Sequence, residues 1–270
     1  MVAEGNSQNR MGKSQVVHGI CKLCRKYCRL CESHLLPRGV YVRSRGPGDS
    51  MPYIANAEGE RPSQHQYKQH LLCSYCEQRF SENGEKYALE LMNSRDHRFQ
   101  LLNILKESQV TVAGELWSQF SVKHTPTIDR QKLAYFGISV LWRASVATWK
   151  DASGSPEVRI NLGEKYNEQV RRYLLGETGI PNLAFLVVYV CSDLASATKS
   201  FAPANNGKTK TGKLTGFLVR GIKFSFGIGK AVQSFQRNLS LTNSEFEWIH
   251  LSDCERYRMW YLDGVKAGRR

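Results

Sequence analysis

The chain has 270 residues, 41% hydrophobic and 23% charged, enough apolar side chain for one large core or two modest ones and too much for a disordered protein. Its formal net charge of +14 points to a polyanionic partner, with nucleic acid the expected class. The polar opening MVAEGNSQNRMGKSQ lacks the apolar core of a secretory signal, and the longest apolar run, residues 183–191, is strand-sized, so a cytoplasmic protein without membrane contact is expected.

In chain order, residues 1–17 read as a flexible basic arm and residues 18–95 as a cysteine-rich module. The interior of that module, RSRGPGDSMPYIANAEGERPSQHQ, is rich in Gly, Pro, Ser and charge and predicts a long irregular loop. EQRFSENGEKYALELMNS then predicts a helix, with Gly84 at its start or at a break in it. From residue 98 to 270 the pattern is that of a mixed α+β domain. RFQLLNILKE predicts a short helix. The longest helix is expected after Thr127 or Asp129, either of which can cap it, with Leu133, Phe136, Val140, Leu141 and Ala144 at helical spacing. VRINL predicts a short strand and NEQVRRYLLG a surface helix stopped by Gly176. LAFLVVYVC is a buried strand by its length and β-branching, with Cys191 in the core. Asn205, Asn206, Gly207, Lys208, Lys210 and Lys213 predict a polar, basic loop. GFLVRGIKFSFGIG predicts a strand broken at Gly221, and EFEWIHL one more.

Six of the eight cysteines precede residue 77, in three Cys-x-x-Cys pairs: Cys21/Cys24, Cys28/Cys31 and Cys73/Cys76. Outside an oxidising compartment such thiols serve as metal ligands more readily than as disulfides. Joining the first two pairs would give a local zinc or iron–sulfur site. Only Arg25, Lys26 and Tyr27 separate them, however, and the spacing departs from the ferredoxin run. Joining the first and third gives a structural Zn²⁺ held by Cys21, Cys24, Cys73 and Cys76. KQHLLCSYCEQRF places the later pair where a strand end turns into a helix. The order knuckle, hairpin, knuckle, helix is a treble clef, which leaves Cys28 and Cys31 on the first hairpin.

CKLC, then LCESHLLP, then LLCSYCEQRF resembles the HNH endonuclease family over roughly residues 18–90. The resemblance implies a ββα-metal finger, a structural Zn²⁺, a catalytic divalent cation (Mg²⁺ or Mn²⁺) and hydrolysis of phosphodiester bonds in nucleic acid, DNA foremost. His34 takes the position of the family's general base, a task that a near-neutral imidazole suits. Its other readings are a substitute zinc ligand and a structural hydrogen-bonder at a turn. Three departures stand out. Ser33 replaces a carboxylate or histidine that the family uses as a ligand to the catalytic cation. Glu77 replaces the histidine after the last cysteine, and no Asn directly precedes LLC. Glu77, His70 or Glu32 would complete the site; for Glu77 the alternative is a carboxylate favouring a helix N-terminus. The second functional reading is a zinc finger that has lost catalysis and recognises nucleic acid, with Lys22, Arg25, Lys26, Arg29, Arg38, Arg43 and Arg45 positioning phosphates, and the third is a structural or interaction protein whose finger braces the C-terminal domain. His65, His97, His124 and His250 stand alone. The chain has no phosphate-binding GxxxxGK[ST], no GxGxxG and no G-x-S-x-G elbow.

Overall fold

A computed structural model describes residues 16–43, 53–56, 59–62, 66–94, 96–115, 117–150, 158–180, 184–194, 200–209, 212–229, 240–242 and 248–252. The expected arm up to residue 15, His65, Lys210, Cys254 and the basic tail lie outside them.

The cysteine-rich segment folds as β1 (His18–Ile20), β2 (Tyr27–His34), α1 (Arg38–Arg43), β3 (Tyr53–Asn56), β4 (Gly59–Pro62), β5 (Lys68–Cys73), α2 (Ser74–Phe80) and α3 (Lys86–Leu91). Strands β1, β2 and β5 make one antiparallel sheet in that order. The insertion expected to be irregular carries β3 and β4, an antiparallel pair. Its Gly and Pro content masked the short YIAN run, which a two-stranded hairpin needs little more than. Between α2 and α3 the helix continues as a π-helical turn, Ser81–Glu85. Gly84 therefore neither starts nor breaks it: a Cβ there would lie 2.8 Å from the Phe136 backbone nitrogen, so glycine lets this turn press against the next long helix.

The remainder comprises α4 (Gln100–Glu107), β6 (Val112–Ala113), β7 (Trp117–Ser121), α5 (Arg130–Val146), α6 (Glu164–Leu174), β8 (Ala184–Cys191), β9 (Ser200–Thr209), β10 (Gly212–Val219), β11 (Ile222–Gly229) and β12 (Trp248–Ser252). Strands β6 to β12 form a seven-stranded sheet ordered β6-β7-β12-β8-β11-β10-β9, antiparallel except where β12 meets β8. The fold is mixed α+β.

Asp129 caps α5, its side chain accepting from the Lys132 N–H at 3.0 Å. Every residue from Leu133 to Ser145 is buried, because α5 is covered on more than one side. On one side lies a row that runs across the sheet in register, Phe120, Ile249, Val188, Phe224 and Phe217. Phe136 meets Phe224 and Phe217 there, ring centroids 5.3 and 6.2 Å away. On another, Phe80 of α2 stands edge-on to Tyr135 and Trp142 at 5.9 and 6.1 Å. Burying one such ring is worth about 1.5–3 kcal/mol. One core thus runs from Cys21 and Leu72 in the finger to Phe217 and Ile249 in the large sheet.

Two expectations fail here. The polar loop around Asn205–Lys208 belongs to β9, and Lys213 to β10. β9 is an edge strand whose register shifts twice against β10, a place where Asn and Gly are tolerated. VRINL buries Val158, Ile160 and Leu162 but, among the described residues, forms no strand. It meets Trp149 through one isolated bridge and donates from Ile160 to the Ala144 carbonyl, strapping the end of α5. Cys191 is buried at the end of β8, as expected, and is disulfide-bonded. Among the described residues no helix is long and apolar enough to cross a membrane.

Candidate metal centre and its surroundings

Four thiols converge where the strands of the finger meet its helix. Cys21 and Cys24 stand on the turn between β1 and β2, closed by hydrogen bonds from Arg25 N to Cys21 O at 2.8 Å and from Cys21 N to Lys26 O at 3.0 Å. Arg25 takes a left-handed conformation there, φ 61°, as such a tight turn demands. Cys73 ends β5, and Cys76 lies in the first turn of α2. The ligand atoms of Cys21, Cys24, Cys73 and Cys76 all fall within 4.8 Å of one another, close enough to bind one metal ion. The Cys24 and Cys73 sulfurs are 3.9 Å apart, far beyond a disulfide. A tetrahedral four-thiolate site with metal–sulfur bonds of about 2.3 Å sets its sulfurs about 3.8 Å apart, so the spacing fits.

Their electrostatics ask for a cation. A hydrogen bond from the Cys76 thiol draws Cys21 down to about 4. Cys76 is pushed up by its bond to Cys21 and by burial, and Cys73 is raised to about 11, chiefly by burial. Once one sulfur ionises, the next cannot without a positive charge among them. The Cys73 N–H, 3.4 Å from the Cys21 sulfur, favours that first thiolate. Cys28 and Cys31 lie on β2, as expected, and stay outside the cluster as free thiols. The turn is also fastened to α6: Arg171 donates to the Leu23 carbonyl at 2.8 Å and grips Glu168 with two nitrogens, and Glu168 pairs with Arg25.

His34 closes β2 opposite Lys68, four residues along the strand from Leu30, which pairs with Cys73; it is half-buried, with Tyr41 of α1 against it at 6.2 Å. Its Nε2 meets the Gln66 side-chain oxygen at 2.8 Å. With that oxygen as acceptor, Nε2 carries the proton and Nδ1 keeps its lone pair for another. Burial holds the imidazole below its usual pKa, partly countered by the Gln66 bond.

Of the side chains expected to join His34, Glu32 and Glu77 bear on it electrostatically, and each also has a cationic partner of its own. A bulge between Cys31 and Glu32 shifts the register of β2 on β5 and turns Ser33 inward. The Ser33 hydroxyl accepts from Leu72 N at 3.2 Å and belongs to strand pairing. Glu32 pairs with Lys68 at 2.9 Å, and His70, opposite Glu32, is exposed. Glu77 bears electrostatically on His34 and Cys31 but stands 4.0 Å from the buried guanidinium of Arg143, which also binds Glu85. Among the described residues the four cysteines are the only metal-capable group of His, Cys, Asp or Glu.

Protein-family models, curated proteins and solved structures give no match to the chain.

Gln66, Tyr41 and Arg143 are the residues that sequence reasoning passed over. Arg143 carried a signal: a lone charge in the apolar run SVLWRASV, on the longest expected helix, whose wide apolar coverage points to burial on more than one side. Gln66 and Tyr41 carried none, being placed by the fold alone.

Proposed function

We propose that the chain is an HNH-like endonuclease that hydrolyses phosphodiester bonds of nucleic acid, DNA foremost, from a cytoplasmic setting. Zn²⁺ in the four-cysteine clasp is its structural metal and the finger is a treble clef. The observation that carries this reading is the order of parts around the clasp. β2 ends in His34, β5 runs back antiparallel to it, and α2 starts through the second cysteine pair. Four thiolates leave zinc no open position, so it braces and does not react.

His34 supplies the chemistry. Its Nδ1 takes a proton from water while the water oxygen bonds to phosphorus; the opposite P–O bond breaks, and the leaving oxygen takes a proton from solvent. A base held below its ordinary pKa stays neutral near pH 7. A catalytic Mg²⁺ or Mn²⁺ would add charge neutralisation at the phosphate. The residues described do not fit that ion, since Ser33 is taken up by strand pairing, Glu77 faces Arg143, and among the described residues the four cysteines are the only group of three or more ligands close enough for a metal; no step is assigned to it. The six free thiols suit a reducing compartment; the disulfide at Cys191 is the feature such a compartment does not call for.

A second reading, a nucleic-acid-binding finger without catalysis, draws on the same pairing of Glu77 with Arg143. Plasmid nicking by the wild-type chain, with and without added Mg²⁺ or Mn²⁺, decides between them. Nicking supports the enzyme. Salt-sensitive DNA binding without nicking supports the second reading, and absence of both removes the two together.

A further inference from the structure

Strands normally turn their apolar residues to the core. The β1–β2 hairpin carries apolar residues on its outer face as well. Val16, Ile20 and Tyr27 are 51%, 61% and 75% exposed, while Val17, Gly19, Cys28 and Leu30 are the more covered set. The register pairs Ile20 with Tyr27 and His18 with Arg29, so these four exposed side chains share one face. The His18 ring stacks on Tyr27 at 6.4 Å with 22° between planes. β1 is also the edge of its sheet, where a bare apolar strand is a liability unless something uses it.

The charge around this face is one-sided. Residues 16–31 contain Lys22, Arg25, Lys26 and Arg29 and no Asp or Glu. A second copy would bring the same cations to the same place, and repulsion opposes that pairing. Nucleic acid offers what the face lacks, flat π surfaces for the rings and phosphates for the cations. Duplex DNA hides its base faces inside the stack, so exposed rings select unpaired bases. Ile20 also stands at the rim of a groove of about 1000 Å³ between the cysteine turn and helices α5 and α6, whose walls carry Glu164 and Glu168 as well as Lys22, Arg25 and Arg171, with Arg25 and Arg171 both paired to Glu168.

We propose that the outer face of the β1–β2 hairpin binds an unpaired stretch of nucleic acid, with His18, Ile20 and Tyr27 packing on bases and Lys22, Lys26 and Arg29 on phosphates. This rests on the polyanion part of the proposed function and not on cleavage.

The test is fluorescence anisotropy of the full chain, without added divalent cations, on labelled oligothymidylate and on the same oligonucleotide annealed to its complement. The single strand is expected to bind more tightly than the duplex. Tyr27→Ala should weaken binding about tenfold or more, the cost of one lost stacking contact. Tyr27→Phe should bind like wild type, and so should Lys106→Gln, an exposed residue of α4. Lys22→Gln with Lys26→Gln should flatten the slope of log affinity against log salt by about 1.4, roughly 0.7 per phosphate contact. Zinc content and unfolding midpoint, measured alongside, should stay at wild-type values in Tyr27→Ala. Equal binding by Tyr27→Ala and wild type would overturn the proposal, as would preference for the duplex. Tyr27-dependent binding to poly-glutamate as tight as to oligothymidylate would assign the face to an acidic peptide instead. Self-association abolished by Tyr27→Ala, with oligonucleotide binding unchanged, would assign it to a second copy. Single-strand binding without nicking leaves this proposal standing while the nuclease reading falls; nicking with Tyr27-independent binding does the opposite.

Discussion

Replacing Arg143 with methionine probes the joint between the finger and the rest of the chain. The guanidinium is 1% exposed on α5, bound to Glu85 and 4.0 Å from Glu77, and its carbon lies 4.7 Å from the Phe80 ring centre. Methionine keeps most of the apolar stem and removes the charge, leaving the Glu85 carboxylate, 14% exposed, without its cation. Removing one partner of a buried pair costs about 3–5 kcal/mol. Two features lower the expectation to the bottom of that range. Glu85 and Glu77 keep some access to water, and the Arg143 Nε and Nη1 atoms, buried without partners, cease to be a cost when removed. A loss of about 3 kcal/mol corresponds to a midpoint lower by roughly 6–12 °C. Urea unfolding followed by circular dichroism measures it. Glu85→Gln in the same chain removes the orphaned charge, so Arg143→Met/Glu85→Gln should be more stable than Arg143→Met alone by at least about 1 kcal/mol. A change below about 0.5 kcal/mol for Arg143→Met, or a double mutant equal to the sum of the singles, would refute the reasoning.

Further outcomes follow from the same geometry. His34, followed by NMR titration, should have a pKa below about 6.5, and Gln66→Leu should lower it further, since that bond is the largest of the influences raising it, ahead of Glu32 and Glu77. Because the folded value lies below the unfolded one, the stability tied to His34 is full above the unfolded pKa and lost as pH falls through the folded pKa; stability independent of pH across that window would contradict it. Metal analysis should give about one zinc per chain, absent in Cys73→Ser/Cys76→Ser, and iron or retained zinc would overturn the ligand set. Asp129→Ala should cost about 1 kcal/mol in urea unfolding through loss of the α5 cap. Gly84→Ala should cost about 1–3 kcal/mol by forcing the π-helical turn off the Phe136 backbone.

The parts legible in the sequence are those whose cause is local. Cysteine spacing picked the two pairs that converge, because three residues between Cys24 and Cys28 are too few to wrap an ion. The cap at Asp129, the left-handed stop at Gly176 (φ 76°) and the hairpin at Arg220–Gly221 are likewise set by neighbours in sequence. What escaped depends on distant partners. β9 is a strand because β10 offers it an edge, whatever the propensities of Asn205 and Gly207. VRINL has the alternation of a strand and, among the described residues, no strand to pair with. The surroundings of His34 were hidden for the same reason: the bulge that turns Ser33 inward and the helix that brings Arg143 to Glu77 are tertiary events.

The proposed role of His34 is tested most directly by comparing plasmid nicking by wild type and His34→Ala at equal zinc content and equal unfolding midpoint. General-base help of this kind is worth roughly 10² to 10⁴-fold, so the variant should lose nearly all cleavage while its clasp and fold persist. Cleavage by His34→Ala at the wild-type rate, or none by the wild-type chain itself, would contradict the account.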